Sequence, residues 1–111
     1  KVSEKKTEAP NDIIIEDLKI TVRKLTKEDI KIRKLPNQTS GLVVTKIGNT
    51  SPLQNSIEAN SIIVEAQKTR VKNANDLEKI VKEVLRSKQK TILLAIYNNQ
   101  NQRRYIGVKL N

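Results

Sequence analysis

The chain has 111 residues and a formal net charge of +10, with no Cys, His, Phe, Trp or Met. That length corresponds to about one domain. The missing Cys excludes disulfides and thiolate metal sites, and the missing His excludes a Ser-His-Asp triad built within this chain. No stretch reaches the ~20 apolar residues of a membrane-spanning helix.

Residues 1–12 (KVSEKKTEAPND) are polar and charged and contain Pro10, which reads as a linker or disordered lead-in. The remaining residues, 13–111, read as the domain. An apolar run opens at Ile13, Ile14 and Ile15. Leu18, Ile20 and Val22 then alternate with polar residues, the period of a half-buried strand. Thr26 is an N-cap candidate with Asp29 at the capping-box position, so a helix of about two turns is expected before Pro36. A β-branched strand follows at Gly41–Ile47. Ser51-Pro52 opens a short turn or helical segment, Ser61–Ala66 is a further strand, and Gln67–Arg70 reverses the chain. Asn73 starts the strongest helix, with Leu77, Ile80, Val81, Val84 and Leu85 forming one amphipathic stripe. Thr91–Tyr97 is a buried strand, Asn98–Gln102 a turn, and residues 103–110 a last strand. With only Tyr97 and Tyr105 as aromatics, Ile, Val and Leu must fill the core, and their stiffness suits strands. This pattern predicts an α+β, mainly β fold: a small, partly open barrel or sandwich of five or six strands capped by one long and one or two short helices.

The positive charge allows two readings. It can attract an anionic partner, in the extreme a stand-alone basic domain that binds nucleic acid. It can equally reflect a bias toward Lys, Asn and Ile across the sequence. The charges are scattered and stacking aromatics are nearly absent, which favours the second reading, with no nucleic-acid partner. An enzyme complete within this chain would need a Lys or paired-carboxylate mechanism, and no such constellation stands out. Nothing points to a cofactor or a metal.

Several segments taken together resemble bacterial PDZ domains: Gly41–Ile47, Ser51-Pro52, Ile57 with Ile62-Ile63, Val71, and Asn73-Ala74-Asn75-Asp76-Leu77. Leu25-Thr26-Lys27-Glu28 is similar to the element that precedes the Gly-Val-Val-Val strand in PDZ domains of the HtrA/Do serine proteases. The lead-in resembles the segment that joins two PDZ domains there, and the end at Leu110-Asn111 fits a second, C-terminal one. The sequence departs from the family at Asn55-Ser56-Ile57, at Asn60-Ser61 where the family has Gly-Asp, and at Gln67-Lys68 where it has Asn-Gly. Gln-Lys is a poor primed turn, so that loop is expected to differ, whereas Asn60 tolerates positive φ.

The resemblance implies a non-catalytic module that binds peptide C-termini or extended segments by β-strand addition. Its parent would be a periplasmic serine endopeptidase active in protein quality control. It implies a carboxylate-binding loop at Asp17, Leu18, Lys19 and Ile20, with Lys19 where the family commonly has Gly. The peptide-pairing strand would begin with Ile20, Thr21 and Val22. On the helix, Ala74, Glu78 and Val81 would face the groove, and Leu77, Ile80 and Val84 the core. Implied partners are peptide segments and other domains or subunits of the protease, and the eroded loop tilts the reading toward assembly.

Overall fold

A computed structural model describes residues 12–88 and 90–110, so the lead-in through residue 11 lies outside the described residues. In chain order the elements are β1 (Ile13–Ile15), β2 (Ile20–Lys24), α1 (Lys27–Arg33), β3 (Leu42–Ile47), β4 (Ile62–Ala66), β5 (Thr69–Arg70), α2 (Ala74–Arg86), β6 (Thr91–Tyr97) and β7 (Arg103–Lys109). The strands form one open antiparallel sheet in the order β1-β2-β3-β4-β6-β7, with β5 paired to β4. This is the expected mainly β architecture with two helices. No helix among the described residues is long and apolar enough to cross a membrane.

The sheet buries both of its faces, which explains the nearly continuous apolar runs in β3, β4 and β6. Leu42 and Val44 join the larger core while Val43 joins a smaller one, and Ile63 and Ile62 split in the same way, as do Ile96 and Ala95. Alternate residues of a strand point to opposite faces, so two clusters lie across one sheet. The larger cluster contains Ala74, Leu77, Val81 and Val84 of α2, and that helix lies against β1, β2 and β6. The smaller cluster holds Leu25 and Leu35, with Ile30 of α1 packed on it.

Helix α1 is short, and its ends are fixed by side chains. The Thr26 hydroxyl accepts from the Asp29 amide at 3.1 Å, and the Asp29 carboxylate accepts from the Thr26 amide at 2.9 Å, a complete capping box. The Arg23 guanidinium donates twice to the same carboxylate, at 2.7 and 2.9 Å, tying the helix to β2. At the far end Lys34 takes a left-handed conformation, φ 57°, and the Leu35 amide donates to the Ile30 carbonyl at 2.9 Å. Arg33 then reaches across to donate to the Asn60 and Asn98 carbonyls, at 2.7 and 2.8 Å.

Residues 52–56 form successive turns, the first of the two readings of Ser51-Pro52. Two local expectations need correction. The second strand begins at Ile20, so Leu18 and Lys19 belong to the turn before it. The Gln67-Lys68 loop keeps primed-turn geometry: φ is 53° and 65°, and Ala66 faces Thr69 across a two-residue connection. The flanking pairs of β4 with β5 and β6 hold this turn, and the Gln67 amide donates to the Leu93 carbonyl at 2.7 Å. Tertiary pairing thus overrides the residues' own preference. Asn60 adopts φ 75°.

Candidate functional site

The residues singled out in the sequence fall on three neighbouring elements: the turn at 16–19, strand β2 and helix α2. Leu18, Ile20, Val22, Ala74 and Val81 are buried together in the larger core. Thr21 and Glu78 are half-buried, and Asp17 and Lys19 are exposed. The arrangement therefore has an apolar floor and a polar, charged lip.

The turn is held from below. The buried Ser51 hydroxyl donates to the Leu18 carbonyl and accepts from the Leu53 amide at 3.0 Å. The Gly48 amide donates to the Lys19 carbonyl at 2.8 Å. A Cβ on Gly48 would stand 2.8 Å from that same oxygen, so the close approach requires glycine. Lys19 itself sits at φ 54°, the left-handed conformation that glycine adopts without strain. Along β2 the ladder with β3 carries a bulge between Thr21 and Val22. There the Thr45 hydroxyl donates to the Thr21 carbonyl at 3.2 Å.

The other edge of β2 is paired with β1. Ile15 faces Ile20, Ile14 faces Thr21 and Ile13 faces Val22, in antiparallel register. Strand β1 also touches α2, so it lies on the outer edge of β2 beside the helix. Its last residue, Ile15, is buried in the core with Ile20, Leu77 and Val81, while Ile13 and Ile14 are 43% and 65% exposed. The Leu18 amide donates to the Ile15 carbonyl at 3.1 Å and the Lys19 amide to the Glu16 carbonyl at 3.2 Å. The amides of the turn thus already hold oxygens of their own chain. Outside this pairing, a cleft of about 420 Å³ is lined in part by Ile14, Lys19, Thr21 and Gly48.

Ser51 and Gly48, the supports of the turn, carry no local sequence signal of that role, and Ile13–Ile15 reads from sequence only as an apolar run. The available signal is three consecutive β-branched residues separated by four residues from a second strand, which is hairpin spacing.

A single antiparallel sheet, a long helix against its β2 edge and a turn leading into that strand define a PDZ-like α+β fold. Among solved structures, the chain is similar to the HtrA-type protease AlgW with decapeptide, with a TM-score of 0.61 and 19% identity. The match covers 85% of this chain and 28% of that one, so the chain spans under a third of the protease's length. At this identity the likeness is one of fold. No family model and no curated protein matches the sequence.

Proposed function

We propose that this chain is a non-catalytic, PDZ-type module of a Do-like periplasmic serine endopeptidase, its second PDZ domain. In this reading it binds C-terminal or extended apolar segments by strand addition along β2. The observation that supports the reading is the chain's own β1, which pairs antiparallel with the outer edge of β2 and touches α2, its last carbonyl, that of Ile15, accepting from the Leu18 amide of the 16–19 turn. Ile20, Val22, Ala74 and Val81 supply the apolar wall. The turn amides suit a terminal carboxylate, as nests of backbone N–H groups suit anions, and the exposed Lys19 ammonium adds charge at the lip. The fold likeness to an HtrA-type protease solved with a decapeptide supports the same reading.

The cleavage chemistry belongs to another part of the parent protein, since this chain has no His. The module's contribution is placement: recruiting misfolded proteins, or docking subunits during assembly in protein quality control. A segment of about five residues buries little surface and is ordered on binding. Affinity is therefore expected at micromolar or weaker, about −8 kcal/mol or less favourable, and it gains from neighbouring copies through avidity.

The test is a titration of the chain with apolar peptides that end in a free carboxylate, followed by amide chemical shifts. Shifts over residues 17–24 and 74–81, weakened when the peptide is amidated, are expected. Shifts confined to other surfaces across a library of such peptides would overturn the reading.

A further inference from the structure

We infer that β1 is a tethered occupant of the groove, a built-in competitor that an incoming peptide must displace. The inference rests on the peptide-binding reading above and adds a regulation to it. Four features carry it. Strand β1 takes the edge of β2 that strand addition needs, in the antiparallel direction. Its carboxyl-terminal residue, Ile15, is the one that enters the core. The carbonyl of Ile15, the last residue of β1, occupies the Leu18 amide that a terminal carboxylate would otherwise take. Finally, the attachment is slight: β1 has three residues, two of them with exposed side chains.

A two-stranded pairing this short is marginal by itself, and segments with few buried contacts open locally far below the global unfolding energy. The tether through residues 16–19 raises the effective concentration of β1 at the groove to about the millimolar range. A ligand then sees only the open fraction of molecules, and its apparent affinity falls by that fraction. If β1 is seated in roughly 90 to 99% of molecules, affinity is reduced about 10- to 100-fold. Withdrawal of the lead-in, for example by engagement of the preceding chain elsewhere, would switch the groove on.

Two variants of the full chain test this. Ile14→Pro weakens the β1 ladder at an exposed side chain and leaves Ile15 in place. The double substitution Ile14→Cys with Thr21→Cys joins two facing positions, and the chain has no other cysteine to interfere. The probe is a synthetic peptide of residues 10–15 with a free carboxylate on Ile15, the sequence of the occupant itself. Expected are binding at least about tenfold tighter to Ile14→Pro than to the native chain, none to the oxidised double variant, and recovery on reduction. Equal affinity for oxidised and reduced forms would overturn the gate while leaving peptide binding intact. No binding of this or other apolar C-termini by any form, Ile14→Pro included, would instead overturn the peptide-binding reading. Hydrogen exchange on the native chain tests the gate without any ligand or variant. The Leu18 amide, which donates to the Ile15 carbonyl of β1, exchanging much faster than those of β3 and β6 supports a mobile β1. Exchange only through global unfolding would overturn it.

Discussion

Lys19 shows how distant partners can hold a residue in a conformation that its own side chain disfavours. A side chain at φ 54° crowds the backbone, at a cost of about 1–2 kcal/mol in that region, and glycine removes the crowding while loosening the unfolded chain. Lys19→Gly is therefore expected to stabilise the domain by about 0.5–1 kcal/mol in urea unfolding. The sequence alone made Lys19 look like an obstacle to the turn, because the restraints on it come from Ser51 and Gly48, about thirty positions away, and pairing at that distance leaves no local pattern. Asp29 offers a second test. Its carboxylate accepts from Arg23 and from the amide and hydroxyl of Thr26. The Arg23 hydrogen bonds, foremost, hold its pKa well below the usual carboxylate range, against the opposing effect of burial. A carboxylate depressed in the folded state stabilises above its unfolded pKa of about 4 and loses that contribution as pH falls through the acid range. Asp29→Asn should thus be less stable than the native chain at pH 7, by about 1 kcal/mol after allowance for solvent screening. The gap should begin to narrow below about pH 4 and close only as pH falls through the depressed folded-state pKa, as measured by unfolding at each pH.

At the scale of elements, α2 separates positions that its stripe left together. Leu77 and Val84 are buried as expected, but Ile80 is only partly buried at the margin of the core. Leu77→Ala is expected to cost about 2–5 kcal/mol. Ile80→Ala should cost clearly less, and Ile32→Ala on the outer face of α1, where Ile32 is 72% exposed, should change stability by no more than about 0.5 kcal/mol. Urea midpoints of the three variants check the order. The long elements were legible because their periods are plain: alternation in β2, apolar runs in β3, β4 and β6, and the 3.6-residue stripe in α2. The capping box of α1 could be read directly from Thr26 and Asp29. What was not legible depends on partners. Three isoleucines in a row carry no alternation, so β1 becomes a strand only when β2 is beside it. The two residues of β5 exist through the Gln67-Lys68 turn, whose primed shape is imposed by the strands around it.

For the whole molecule, the fold decides what the +10 charge can do. Basic residues stand on α1 (Lys27, Lys31), on α2 (Lys79, Lys82, Arg86) and on β7 (Arg103, Arg104, Lys109), all exposed and on different sides of the fold. These eight lie on three separate elements and not along one. Of the two tyrosines, Tyr97 packs against the smaller core and Tyr105 lies under the Arg103 guanidinium, 5.6 Å from its ring centre. Neither stands free as one of a row of stacking platforms, which single-strand binders use in series. Binding by scattered charge is counterion release alone, and it weakens steeply with salt. A DNA or RNA oligomer is therefore expected to associate weakly at about 50 mM salt, to dissociate by about 200 mM, and to show no fixed site size. Fluorescence anisotropy across that range measures this, and saturation at a defined length that survives 200 mM would restore nucleic acid as a partner. Binding to an apolar peptide should respond in the opposite way. Its main contribution is the backbone ladder and the wall formed by Ile20, Val22 and Val81, so only the Lys19 contact is screened, and affinity over the same salt range should change by no more than about threefold. The two titrations together separate general attraction by a basic surface from recognition by the groove.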